Sequence, residues 1–80
     1  MSVKDVVASR FIELCKVRGI KMNELANLAG VTPSTVYSML DPRRREISIS
    51  TIKKLCDGLN LTLGEFFSTE AFDNLEQEIK

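Results

Sequence analysis

Apolar residues recur three and four positions apart along most of the chain, which is the spacing of amphipathic helices. Glycines, and Ser or Thr residues that can cap a helix start, divide the pattern into segments. Residues 47–50 alternate like a strand, but a helix cap with a flanking apolar residue explains them better. The pattern therefore predicts an all-α chain of five helices, at about 2–18, 22–29, 33–40, 49–59 and 63–68.

Most of the predicted helix starts carry a residue that can satisfy the free backbone amides there. Ser2, Thr32 and Ser48 stand at N-cap positions, and Thr62 with Glu65 has the spacing of a capping box. Apolar residues flank several of these caps as hydrophobic staples. Such devices matter here because helices of two or three turns are unstable in water on their own.

Residues 69–80 form a more acidic tail whose status the pattern leaves open. Phe72, Leu75 and Ile79 fall at helical spacing among Glu and Gln residues. A sixth helix, used for packing or for dimerisation, is one interpretation, and a frayed terminus is the other. We therefore divide the chain into a domain at 1–68 and a tail at 69–80.

Charge is distributed unevenly in a chain whose total net charge is zero. Residues 1–54 hold ten basic and five acidic side chains, whereas residues 55–80 hold one basic and six acidic ones. A chain polarised in this way can offer one basic face to phosphates. The same numbers of basic and acidic side chains would be found if these charges were only solvated and bound no partner.

Several classes of function lack the residues they need. The 80-residue chain has no histidine and only two cysteines, which excludes the common zinc patterns. It contains no P-loop or nucleophile elbow, so we predict no enzyme, no cofactor and no small-molecule site. No apolar run reaches the roughly 18 residues of a membrane span, and no secretory leader opens the chain.

The expected compartment is therefore the cytoplasm, where a disulfide is improbable. We expect Cys56 in the core and Cys15 half-buried.

Residues 22–40 contain two short helical patterns joined by an abrupt turn. Ala26 is small enough for a close helix contact, and Gly30 suits a left-handed turn at a helix end. Pro33 fits the first position of the next helix, where a missing N–H does no harm. Val36 and Met39 are then expected to point inward. This arrangement is typical of a helix-turn-helix.

The chain resembles the Cro/phage-repressor (XRE-like) helix-turn-helix family, which has a compact five-helix fold. The resemblance extends over about residues 10–67. It rests on correctly spaced pieces before, within and after the turn: Arg10, Phe11, Leu14, Gly19, Ile20, Leu25, Ala26, Gly30, Val31, Val36, Ile52, Leu55, Leu59 and residues 62–67.

The resemblance implies that the helix beginning at Thr32 and Pro33 enters the major groove of double-stranded DNA. Carried over by position, the residues at base edges would be Thr32, Pro33, Ser34, Thr35, Tyr37 and Ser38. Phosphate contacts would come from the start of the second helix and the loop after the third: Lys21, Met22, Asn23, Arg43, Arg44 and Arg45. The alternative for the three arginines is solvated surface.

Three positions depart from the pattern of the family. Lys21 and Met22 stand where Thr and Gln are usual, so a common phosphate-contacting amide is missing. Arg10 lacks the acidic partner that often stands at the position of Leu40. Pro42 replaces a glycine that commonly turns the loop.

These features predict a repressor-like, sequence-specific transcriptional regulator that binds a two-fold operator as a homodimer. The alternative is a protein-interaction module, such as an antitoxin or an accessory factor, that uses the same fold without reading bases.

Overall fold

A computed structural model describes residues 2–79, and all regular elements within that range are helices. All five predicted helices are present, with ends within one residue of the predicted positions, and a short sixth follows. The helices are α1 (Val3–Arg18), α2 (Met22–Ala29), α3 (Pro33–Leu40), α4 (Ile49–Gly58), α5 (Leu63–Phe67) and α6 (Glu70–Asp73).

Helix α1 is closed at both ends by the residues that the sequence indicated. The Ser2 hydroxyl accepts a hydrogen bond from the Asp5 amide at 3.2 Å, and the Asp5 carboxylate accepts from the Ser2 amide at 3.0 Å. Gly19 ends the helix in the left-handed region at φ 67°, which favours glycine. The Ser2 cap and the glycine stop were both correct predictions, and Asp5 additionally completes a capping box that was not predicted.

The core gathers apolar side chains from α1 to α5. The rings of Phe11 and Phe66 stack with centroids 4.4 Å apart. Leu25 and Leu55 bring α2 and α4 to the same centre and are fully buried. Because aromatic pairs and packed leucines hold five short helices together, tertiary contacts stabilise helices that could not form alone.

The two helices of the turn are positioned by the rest of the domain. Gly30 ends α2 at φ 70°, and Ala26 is fully buried beneath it, as the pattern predicted. Helix α4 packs across α2 at Gly58, where an added Cβ would lie 2.9 Å from the Ala29 amide nitrogen. The role of Gly58 was missed by sequence reasoning, which placed the close contact at Ala26 alone.

Arg10 finds its partners in α5. Its Nε donates to the Phe66 carbonyl at 3.1 Å, and its Nη2 donates to the Glu65 carbonyl at 3.3 Å. The guanidinium also lies 5.8 Å from the centroid of the Phe66 ring. Arg10 therefore satisfies carbonyls at the end of a helix, where positive charge is favourable, and does not need an acidic residue at Leu40.

The tail is helical for one turn only. Helix α6 ends at Asp73, and Phe72 packs edge-on against Phe67 with ring centroids 4.9 Å apart. Ile79 is 87% exposed, so of the apolar stripe predicted in the tail, Phe72 packs on its own domain and Ile79 does not. The single turn ends before the apolar stripe at Leu75 and Ile79 can continue.

Both cysteines are buried and free. Cys56 lies in the core as predicted, but Cys15 is 3% exposed, and the expectation of a half-buried side chain was wrong. Cys15 is covered because it faces inward on α1, one turn after Phe11. None of the helices found over residues 2–79 has the length and apolar content that crossing a membrane requires.

Candidate nucleic-acid interface

Helix α3 divides cleanly into an inner and an outer face. Val36 and Met39 are 1% and 2% exposed, respectively, and fix the helix to the core. The predicted base-edge residues lie on other faces: Thr32, Pro33, Ser34 and Tyr37 are exposed, and Thr35 and Ser38 are half-buried. The two-sided pattern leaves a row of short polar side chains available to a ligand.

Three hydroxyl groups at the start of α3 bond to one another. The Thr32 hydroxyl lies 2.9 Å from that of Ser34 and 3.1 Å from that of Thr35. Thr32 occupies the N-cap position, but its side chain accepts no backbone hydrogen bond, so its predicted capping role is wrong. The Thr32 oxygen bonds instead to the two neighbouring hydroxyls, as short hydroxyl side chains often do.

The outer face of α3 is connected to the start of α2. The Tyr37 hydroxyl donates to the Asn23 side-chain oxygen at 2.9 Å, which joins two predicted site residues. Lys21 is exposed beside them, and its backbone amide donates to the Glu24 carboxylate at 3.2 Å. Met22 packs against the core as a partly buried residue. Its thioether carries no donor, so its side chain is poorly suited to a phosphate.

The three arginines after α3 lie in different surroundings. Arg43 donates through Nε and Nη2 to the Asp41 carboxylate, at 3.1 and 3.0 Å. Arg44 lines a shallow groove together with Thr35 and Ser38 of α3. Arg45 lines a separate groove on the other side of the loop, near Val3 and Lys4. Of the three arginines, Arg44 is the one that shares a groove with residues of α3.

This geometry is that of a known class of DNA-binding domain. The family model described as the Cro/C1-type HTH DNA-binding domain matches residues 10–71. The chain belongs to this Cro/C1-type family. A solved structure titled "Crystal structure of the prophage Lp1 protein 11" is similar over 94% of this chain and all of that chain, with 29% identity and a TM-score of 0.83. No curated protein matches the chain.

Membership of the Cro/C1-type family agrees with the resemblance inferred from sequence, including its starting residue, Arg10. The match continues to residue 71, beyond the predicted end near 67, and so includes the turn into α6. Within residues 2–79, no group of His, Cys, Asp or Glu side chains is arranged to hold a metal ion.

Asp41 is the most connected residue next to the site. The Arg43 guanidinium, followed by the Arg43 backbone amide, lowers the pKa of the Asp41 carboxyl. The Asp41 carbonyl accepts from the Arg44 amide at 3.0 Å and from the Lys4 ammonium at 2.7 Å. Asp41 thus ends α3 and begins the arginine loop in a conformation fixed from several directions.

Lys4 is a residue beside the site that sequence reasoning missed. A lysine in the first turn of an amphipathic helix is ordinarily solvated, yet Lys4 is 4% exposed. No periodicity rule predicts that its ammonium reaches a carbonyl on a different helix. The acidic Asp41, two residues before Arg43, could by contrast have been considered as a partner for that arginine.

Proposed function

We propose that the protein is a repressor-like, sequence-specific transcriptional regulator that acts in the cytoplasm by inserting α3 into the major groove. The supporting observation is that α3 has a buried inner face and an exposed hydroxyl-bearing outer face beside a basic loop, in a chain of the Cro/C1-type family. Helices with this placement in helix-turn-helix proteins contact base edges through their N-terminal residues.

Under this proposal the base-edge contacts come from Thr32, Pro33, Ser34, Thr35 and Ser38, with Tyr37 at the edge of the contact. Hydroxyl groups can donate or accept, so they suit several bases and discriminate modestly. The mutual bonds of Thr32 would have to open or be shared when DNA binds. Specificity then depends partly on DNA shape and on the use of two copies.

Phosphate contacts are assigned unequally to the loop. Arg44 is the strongest candidate because it shares a groove with Thr35 and Ser38. Arg43 is already paired with Asp41 and must share or leave that carboxylate to bind a phosphate. On the other side of α3, Lys21 and Asn23 are the candidates, and Met22 would act only through its backbone amide.

The experiment for DNA binding begins with selection of bound duplexes from a random pool. We expect enrichment of a two-fold sequence, and a binding constant whose logarithm falls linearly with the logarithm of salt concentration. Arg44→Ala should weaken binding to all sequences and reduce the salt slope by about one. Arg45→Ala is the matched control and should change both quantities less.

An unchanged affinity and slope in Arg44→Ala would contradict the phosphate assignment. No enriched duplex, together with co-purification of a protein partner, would instead favour the interaction module considered from sequence.

Base reading is tested separately from affinity. Ser34→Ala should alter base preference at restricted positions of the selected sequence, because its hydroxyl is exposed on the outer face of α3. Ser9→Ala, at an exposed serine of α1, serves as the control. Uniform weakening across all sequences would exclude a base-reading role for Ser34.

The proposal includes a homodimer formed through one apolar surface. This surface, the Ile49 face, consists of Ile49, Leu63, Lys53, Lys54 and Glu46. Ile49 is 60% exposed, with Lys53, Lys54 and Leu63 around one side of it. Glu46 lies with Ile49 on the other side. In a two-fold contact a patch meets itself, so the lysines of one copy could approach the glutamate of the other.

Mass measurement in solution tests this surface. We expect a dimer that Ile49→Glu converts to a monomer, because a buried unpaired charge opposes association. Val17→Glu places the same charge at a 78% exposed apolar residue on α1 and should leave the mass unchanged. A wild-type monomer at all concentrations would refute the homodimer.

A further inference from the structure

The buried ammonium of Lys4 contacts the chain where α3 ends. Lys4 is 4% exposed, and its Nζ donates to the Asp41 carbonyl at 2.7 Å. An ammonium group removed from water is unfavourable unless it is hydrogen-bonded, so this contact has to be maintained in the folded protein. The positive charge also lies at the C-terminal end of a helix, where the helix dipole favours it.

The same carbonyl organises the arginine loop. It accepts a second hydrogen bond, from the Arg44 backbone amide at 3.0 Å. The carboxylate of the same Asp41 accepts from the backbone amide of Arg43 at 2.9 Å. Lys4, on the first helix, is thereby connected through one residue to the end of α3 and to two arginines.

We propose that Lys4 is a positioning residue for DNA binding, which holds the arginine loop so that Arg44 stays beside the outer face of α3. This inference rests on the proposed function. It differs from a purely structural role because the Asp41 carbonyl keeps the Arg44 amide as a donor when Lys4 is replaced, so loss of the ammonium leaves no acceptor without a partner. Lys4 should therefore matter more for DNA affinity than for folding.

Lys4→Met is the test, because methionine keeps most of the side-chain volume and removes the ammonium. We expect duplex affinity to fall roughly tenfold at equal folded fraction, the effect of one lost hydrogen bond to a charged group. Hydrogen exchange at the Arg44 amide should accelerate, since the Asp41 carbonyl that accepts from this amide is no longer held in place by Lys4. Lys16→Met, an exposed lysine on the same helix, should change affinity less than threefold, as expected of a surface substitution.

A second variant changes the loop directly and leaves the buried Lys4 side chain in place. Pro42→Gly, at an exposed loop position, widens the conformations available to the same segment and should also weaken DNA binding. This variant keeps the inference testable if Lys4→Met does not fold. Unchanged affinity in Pro42→Gly would overturn the claim that loop position controls binding.

The remaining outcomes separate this inference from the proposed function. Wild-type affinity in folded Lys4→Met overturns the positioning role, whatever the Arg44 exchange rate. Unchanged Arg44 exchange overturns the contact through which Lys4 is said to act. Failure of the wild-type protein to bind any duplex refutes the proposed function itself, and the exchange measurement then still tests whether Lys4 orders the loop.

Discussion

Helices α3 and α5 both begin after a threonine, but the two threonines behave differently. The Thr62 hydroxyl accepts from the Glu65 amide, and the Glu65 carboxylate accepts from the Thr62 amide, each at 3.0 Å. The Thr32 hydroxyl bonds only to neighbouring hydroxyls. The third residue of each helix also differs: Glu65 completes a capping box in α5, whereas Thr35 of α3 has no carboxylate to do so.

This contrast separates two ways to hold a short helix. Helix α5 has a complete capping box and contributes Phe66 to the core, so local and tertiary contacts agree. Helix α3 lacks the box and depends on Val36 and Met39. Its hydroxyls are consequently not committed to the backbone and remain available to a ligand.

The tertiary anchor of α5 should give the largest effect. Phe66→Ala should lower the free energy of unfolding by about 3–5 kcal/mol, because it empties a fully buried site that stacks on Phe11. Urea denaturation measures the change. Ile79→Ala removes an exposed apolar side chain and should have almost no effect. A loss below 1 kcal/mol in Phe66→Ala would mean that the cap, and not packing, holds α5.

The next largest loss of stability should come from disturbing the contact by which α4 supports α2 and α3. Gly58→Ala places a Cβ against the backbone of Ala29 and should lower the free energy of unfolding by about 1–3 kcal/mol. Gly64→Ala is the matched control in α5, where the added Cβ meets only the Thr62 hydroxyl, at 3.9 Å. That control should be stabilising by up to about 1 kcal/mol, from helix propensity.

Thermal denaturation of the two glycine variants compares them directly. Equal melting temperatures would show that the contact between α4 and the end of α2 relaxes freely, and that α3 is not held in the way proposed.

The two threonines themselves should differ by a smaller amount. Thr62→Ala removes an N-cap hydrogen bond and should lower the free energy of unfolding by about 1 kcal/mol. Thr32→Ala removes no backbone cap and should change it by less than about 0.5 kcal/mol. Urea denaturation of the two variants in parallel measures both changes in the free energy of unfolding. Equal losses would mean that α3 and α5 do not differ in the way their N-termini are stabilised.

Low pH should destabilise α1 and α5, whose capping boxes contain a carboxylate, more than α3. The Thr62 backbone and side chain lower the pKa of Glu65, and Ser2 lowers that of Asp5 in the same way. A folded pKa below the unfolded value stabilises the protein above about pH 4.3, the ordinary value for Glu. This stabilisation is lost as pH falls through the folded pKa. No carboxylate lies in the first turn of α3.

Urea denaturation at pH 7, 5 and 3 measures this dependence. Glu65→Gln should show a smaller loss of stability on acidification than the wild-type chain. The same loss in both proteins would show that the Glu65 carboxylate contributes no pH dependence.

Sequence reasoning predicted the helices well because their boundaries depend on local chemistry. Ser2, Ser48, Gly19 and Gly30 act within a few residues of their own positions, and each has the predicted role. The hydroxyl of Thr32 was misassigned because Thr32 and Ser48 are both followed by hydroxyl residues at the same spacing, yet only Ser48 caps its helix, so sequence spacing does not distinguish the two. For residues 75–79 the sequence left a sixth helix and a frayed terminus open, because helical spacing does not show where a helix ends.

The contacts that the sequence did not predict all act across the fold. Lys4 reaches the end of α3, Gly58 admits the backbone of α2, and Arg10 meets carbonyls at α5. Their partners lie far away in the chain, so no local pattern contains them. Asn60 differs from these residues because its role is local. Its left-handed conformation at φ 57° ends α4 in the way that glycine ends α1.

Because both thiols are buried, the rate at which they react can be used to follow unfolding of the chain. Burial is the main cause that raises the pKa of Cys15 and of Cys56. The thiolate is the form that attacks an alkylating reagent, so both sulfurs should be inert in the closed protein. Cys15 lies on α1 and Cys56 on α4, so their separate labelling rates would show whether these two helices open together or apart.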